Sequence, residues 1–216
     1  MRREKWGVDS ASAVTESLYR CVVEQLGKPD FWGRYLTTVP NSSQGLSKEE
    51  IRIIHQHRIK ILPIYNAFRQ AIGYQQGQIT AQNALFHLGR LGVPKGTVCF
   101  GNIEHFFEID EAWIRGWVDK FYPSGYRPGL YHDPVRGNFA KAYCEAAANH
   151  SNVSNQLILW SAQPAPGGTN EQDAPTYHPS TPPCTANVWA WQYGRDVAAC
   201  PVDTNLIQKR LFEHLW

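Results

Sequence analysis

The sequence predicts an α/β fold, a closed (β/α)8 TIM-like barrel that takes in residues 1–216 as a single domain. Three observations lead there. Apolar, strand-like runs alternate with helix-patterned segments over the whole length, which implies a parallel sheet. Eight strands can be placed, and no Gly-x-Gly-x-x-Gly fingerprint marks an open nucleotide-binding sheet; Gly89-Arg90-Leu91-Gly92 has the wrong spacing and follows no strand. The length of 216 residues suits one barrel.

The elements follow in order. The first strand is Lys5 to Asp9. One of the serines of Ser10-Ala11-Ser12 then caps a helix from Ala13 to Leu26, where Val14, Leu18, Cys21, Val22 and Leu26 keep helical spacing. Phe31 to Leu36 is the second strand. Ser47-Lys48-Glu49-Glu50 reads as a capping box for a helix through His57. Ile59 to Tyr65 is the third strand, apolar except for Lys60, as expected where both faces are covered. A loop holding Gly73 and Gly77 leads to a helix from Thr80 to Leu91. Thr97 to Glu104 is the fourth strand, and Ile109 to Phe121 a helix. Tyr126 to His132 is the fifth strand, and Asn138 to Asn149 an Ala-rich helix. Gln156 to Ser161 is the sixth strand.

The rhythm then breaks. Residues 163–185 hold six prolines, two glycines and no periodicity, the mark of a functional or mobile loop. Asn187 to Tyr193 is the seventh strand. Cys200 to Asn205 is a short eighth strand turning into a final helix.

Composition narrows the function. Apolar residues make up 43% and charged residues 19%, with a formal charge of +2, and no Lys/Arg run marks a nucleic-acid face. No apolar run reaches the ~20 residues of a membrane span. Met1-Arg2-Arg3-Glu4-Lys5 lacks the apolar stretch of a secretory signal, and the compartment stays open. Five scattered cysteines give neither a metal motif nor a disulfide framework; Cys184 and Cys200 flank the last strands and either pair or stay free. The eight Trp, ten Tyr and nine Phe suit a sugar-binding cleft, although most serve the core.

In such barrels the active site lies where strands end. Asp9, Glu104 and Asp203 stand at predicted strand ends, with Asp133 just past another. Paired carboxyls are what glycoside hydrolysis needs. Glu104 closes an apolar strand, where a carboxylate is costly unless wet, paired or used. Burial among aromatics would raise its pKa and make it the proton donor. Asp9 and Asp203 then supply hydrogen bonds or charge at the floor; both also stand where acids cap helices. Asp133, before Pro134, reads as a turn residue. Asn102, Tyr65, Tyr131, Trp160 and Gln192 are expected substrate contacts. Arg34 and Tyr35 bind sugar or an anion, or Arg34 pairs with a pocket acid. His105 and His132 lie near strand ends. No His-x-x-x-His or Glu-x-x-His spacing appears, so neither a metal nor another cofactor is expected. The absence of Gly-x-Ser-x-Gly disfavours a hydrolase elbow.

Several short motifs appear in a fixed order: Gly-Val-Asp at 7–9, Gly-Arg-Tyr-Leu at 33–36, Leu-Pro-Ile-Tyr at 62–65, the Gly77-x-x-x-Ala81-x-x-Ala84 helix onset, Trp-Gln-Tyr at 191–193 and Val-Asp-Thr-Asn at 202–205. In these the chain resembles bacterial glycoside-hydrolase-like domains related to glycoside hydrolase family 25 lysozymes. The resemblance runs from Trp6 to Leu206 and implies a barrel acting on the glycan strands of peptidoglycan, hence a polysaccharide partner and action at the cell wall. It matches Asp9 to the acid of the first strand and Glu104 to the proton donor of the lysozymes' Asp-x-Glu. Gln192 and Asp203 match the closing motifs. Asn102 departs, standing where that motif has its first Asp. An amide carries no charge but still orients an N-acetyl group. The alternative is a non-catalytic carbohydrate- or wall-binding module on the same barrel.

Overall fold

A computed structural model describes residues 4–216. Residues 1–3 of the charged lead lie outside the described residues. The strands are β1 (Glu4–Asp9), β2 (Phe31–Tyr35), β3 (Lys60–Tyr65), β4 (Val98–Asn102), β5 (Arg127–His132), β6 (Ile158–Ala162), β7 (Asn187–Gly194) and β8 (Asp203–Gln208). They close into a barrel in sequence order. The helices are α1 (Glu16–Gln25), α2 (Lys48–Gln56), α3 (Tyr74–Leu91), α4 (Glu111–Phe121), α5 (Phe139–Asn149), α6 (Ser151–Gln156) and α7 (Lys209–Phe212).

One strand corrects the all-parallel expectation. β8 runs antiparallel to both β7 and β1. No helix connects β6 to β7 or β7 to β8, so the chain returns directly and reverses direction. The strand expected over Cys200 to Asn205 is shifted to Asp203–Gln208, and the helix expected after Asn205 shrinks to the four-residue α7. Because β8 is reversed, its first residue meets the mouth where the other strands end.

Strand parity builds two cores. Phe31, Leu62, Ile64, Val98, Phe100, Ile158, Trp160, Ala190 and Ile207 fill the barrel. Trp32, Ile61, Tyr65, Cys99, Leu130 and Leu159 face the helices instead. Glycine supplies space between large rings: a Cβ at Gly129 would sit 2.7 Å from the Phe100 ring.

Several local signals resolve differently from expectation. Thr15, not a residue of 10–12, caps α1 by accepting from the Leu18 amide at 3.1 Å. Ser47 caps α2, but the Glu50 carboxylate accepts from the Val14 amide and pairs with Arg34 rather than turning back to Ser47. α3 starts at Tyr74 and swallows Gly77.

Two disulfides form, Cys21–Cys200 and Cys144–Cys184, and Cys99 is free and buried. A Cys184–Cys200 pair is thereby excluded. Each helixless connection is instead tied to the helix beside it: Cys200 precedes β8 and meets α1, while Cys184 precedes β7 and meets α5. The Pro-rich segment before β7 is also held by hydrogen bonds. Tyr177 Oη donates to the Val188 carbonyl at 3.1 Å, and Ser161 Oγ to the Ser180 carbonyl at 2.8 Å.

Candidate active site

A cavity of about 220 Å³ opens at the mouth of the barrel. Inward-facing end residues line it: Asp9 from β1, Tyr35 from β2, Ile64 from β3, Asn102 from β4, Tyr131 from β5, Trp160 from β6, Gln192 from β7 and Asp203 from β8. Glu104, just past β4, and Arg195 and Asp196, just past β7, complete the rim. The strand register puts Asp9 opposite both Asp203 and Gly33. A Cβ at Gly33 would sit 2.6 Å from that of Asp9, so the glycine makes room for the acid.

The floor is one hydrogen-bonded network. Gln192 Nε2 donates to Asp9 Oδ2 at 3.1 Å and to Asp203 Oδ2 at 2.9 Å. Asn205 Nδ2 donates to Asp9 Oδ2 at 2.7 Å, and Trp160 Nε1 donates to Asn205 Oδ1 at 3.1 Å. On its other side, Gln192 Oε1 accepts from Tyr131 Oη at 2.8 Å and from Arg195 Nε at 3.0 Å. Arg195 Nη2 also donates to Tyr131 Oη at 2.7 Å. Arg195 can only donate, so Gln192 turns its oxygen to Arg195 and its nitrogen to the two acids.

Burial pushes Asp9 far above the usual carboxylate range, and the charge of Asp203 adds to the rise. Burial also raises Asp203, opposed by the Asp196 amide that donates to its Oδ1 at 2.8 Å. Two carboxyls bridged by one amide share a proton near neutral pH, because both cannot ionise cheaply in a buried site. Burial likewise keeps the Tyr131 hydroxyl protonated and able to donate.

Glu104 sits higher, half-buried at the lip. Its Oε1 accepts from Asn102 Nδ2 at 2.9 Å. The deep burial expected for it falls on Asp9 instead. The two side chains are two residues apart, so they project the same way and touch.

Not every expected contact reaches the cavity. Tyr65 faces the helices, stacked near Phe68 and His87, because its neighbour Ile64 takes the inward position. Arg34 is fully buried outside the barrel and pairs with Glu50, which is not a cavity acid; it also donates to the carbonyls of Ser10 and Gln44. The alternation that points Tyr35 inward points Arg34 outward. His132 also faces out, packed on Phe139. Asp133 is a turn residue, accepting from the Val135 and Arg136 amides at 2.9 Å. Asn205, Arg195 and Asp196 were not singled out as site residues from sequence. Asn205 was legible through its even spacing from Asp203; the other two sit on an irregular connection, with Asp196 at a φ of 50°, where no periodicity signals them.

No group of three or more His, Cys, Asp or Glu arranged for a metal occurs among the described residues.

Comparison with known proteins adds the family. An uncharacterized protein of B. stearothermophilus has a crystal structure with 57% identity, covering 98% of this chain and 100% of that one, at a TM-score of 0.97. The Mycobacterium tuberculosis Tat-secreted protein Rv2525c is 16% identical, with 98% of each chain covered and a TM-score of 0.63. The catalytic domain of endolysin ply40 from bacteriophage P40 of Listeria monocytogenes is also 16% identical, with 99% of this chain and 97% of that one covered and a TM-score of 0.59. The last two likenesses are of fold. No curated protein matches the chain. The family model for the Rv2525c-like, glycoside hydrolase-like domain matches residues 28–196, a stretch that holds Asn102, Glu104 and Gln192 but stops short of Asp9 and Asp203. The chain belongs to the Rv2525c-like, glycoside hydrolase-like domain family, in line with its resemblance to relatives of the family 25 lysozymes.

Proposed function

We propose that the protein hydrolyses a cell-wall polysaccharide rich in N-acetylated sugars, peptidoglycan in the first instance, with Glu104 as general acid. The observation that carries this reading is the Asn102–Glu104 pair on the lip of a polar cavity at the barrel mouth. The endolysin catalytic domain shares the fold, and wall-lytic activity is the chemistry such a barrel hosts there. Two disulfides suit an oxidising compartment, which is where wall polysaccharide is met.

The roles divide as follows. Glu104 Oε1 is held by Asn102, which leaves Oε2 to carry the proton to the glycosidic oxygen. Asn102 spends its amide nitrogen on Glu104, so its Oδ1 is left to accept from the acetamido N–H of the substrate. That contact aims the acetamido carbonyl at the anomeric carbon and lets the substrate supply its own nucleophile, a role the neutral amide of Asn102 cannot fill. The Asp9–Asp203 floor, charged once for its shared proton, binds sugar hydroxyls and offsets the positive charge of the oxocarbenium-like transition state.

Asn102 also favours a second reading, a carbohydrate-binding module that retains the cleft. Reducing-sugar release from purified peptidoglycan separates the two. Hydrolysis by the wild type, lost at least ~100-fold in Glu104→Gln, supports the hydrolase. Glycan binding by titration with no release from any wall supports the module.

A further inference from the structure

We infer that the rim beside Glu104 is a second sugar-binding subsite, built on Phe106, that holds the leaving-group side of the glycan. The inference deepens the hydrolase reading and rests on it.

The cavity is smaller than the ~300 Å³ at which pockets begin to hold drug-sized ligands, and it has room for one sugar ring. A general acid must touch the oxygen that joins that ring to the next. The next ring therefore emerges where Glu104 faces out. There Glu104 also lines a tight crease with no room for a water, with His105, Phe107, Asp133 and Arg136 among its other walls, so the next ring can rest only on the rim above this crease. The cavity and the crease meet at this one carboxylate.

The two most exposed large apolar side chains among the described residues stand on the loops that form the crease. Phe106 is 70% exposed and Val135 is 74% exposed. Neither is loose. The Phe106 ring stands edge-on to His105 and to Phe107, each at 5.3 Å between centroids. Asp133 braces the loop of Val135 by accepting from the Val135 and Arg136 amides and from Arg136 Nε. Gly137, at a φ of 77°, lets that loop close onto the His105 carbonyl, where any Cβ would collide. A braced aromatic ring left open to water beside the acid is costly as structure and useful as a platform for the apolar face of a sugar.

The test uses binding, so it does not depend on turnover. Glu104→Gln protein is titrated with a single N-acetylated sugar, which fills the cavity alone, and with a peptidoglycan tetrasaccharide, which extends past it. Adding Phe106→Ala should weaken tetrasaccharide binding about 10-fold, the loss of one stacking contact, and leave the single sugar unchanged. Phe86→Ala, an exposed ring on α3, should change neither. Equal weakening of both ligands, no weakening of either, or failure of the tetrasaccharide to bind overturns the subsite. Sugar release by the wild type, measured in parallel, reports separately on the hydrolase reading: tetrasaccharide binding that depends on Phe106 without release would uphold the subsite and sink the enzyme.

Discussion

His132 ends β5 with its ring 4.2 Å from that of Phe139, fully buried between sheet and helix. Burial holds the imidazole neutral, with its pKa lowered from 6.5 to about 3. The folded state thus binds this proton less readily than the unfolded chain. Its contribution to stability is complete above 6.5 and is lost as pH falls toward 3. Asp9 has the opposite sign. Its folded pKa lies above the unfolded value of 3.8, so folding retains a proton, and that contribution declines as pH rises through neutrality. His132→Phe should narrow the gap between thermal midpoints at pH 7 and pH 4 by roughly 5 °C or more, since each kcal/mol is worth ~2–4 °C at this chain length. A gap unchanged from wild type would mean that other groups govern acid unfolding.

At the scale of elements, α3 and α4 cross on two glycines. A Cβ at Gly77 would collide with the Trp113 carbonyl, and one at Gly116 with the Tyr74 carbonyl. Ala normally gains ~1 kcal/mol over Gly inside a helix. Here the overlap reverses the sign, because forcing atoms into a packed contact costs ~1–3 kcal/mol. Gly77→Ala should therefore lower the unfolding free energy. Gly89→Ala, on the same helix with nothing within 4 Å, should raise it by up to ~1 kcal/mol. Denaturant titrations compare them, and equal effects would place the crossing elsewhere. The case also shows what patterns conceal. Gly77 reads as a loop residue because its partner lies 36 positions away on another helix. β8 reads as one more parallel strand because side-chain alternation is the same in either direction. Seven strands, β1 to β7, were legible because period and breakers agree locally. Tyr65 and Arg34 were misplaced by one step of parity, which no apolar run reveals when both faces are buried. Asp9, Asn102, Tyr131, Trp160, Gln192 and Asp203 reach one cavity because each takes the inward parity at the mouth.

For the whole molecule, closure joins the two ends of the chain. β1 pairs with β8 over six residues, and Cys21 near the start is bonded to Cys200 near the finish, 179 positions on. The second bridge, Cys144–Cys184, secures the other helixless connection. Long closed loops restrict the unfolded chain, and a native bridge is worth ~2–4 kcal/mol. Reduction of both should lower the thermal midpoint by on the order of 10 °C. Cys200→Ser should free the segment that carries Arg195 and Asp196 more than Cys144→Ser does, read as faster amide exchange at 195–202; equal exchange in both variants would show that hydrogen bonds alone hold that rim. The same closure shapes the cavity, since the antiparallel β8 brings Asp203 to the mouth opposite Asp9.

The most direct test of the account asks what Glu104 does to the leaving group. Wild type and Glu104→Gln are compared on peptidoglycan and on an aryl N-acetylglycoside whose phenolate departs without a proton. The account predicts a loss of at least ~100-fold on peptidoglycan and little loss on the aryl glycoside, because only the first needs the acid. Equal losses on both substrates would contradict it and take the general-acid role away from Glu104.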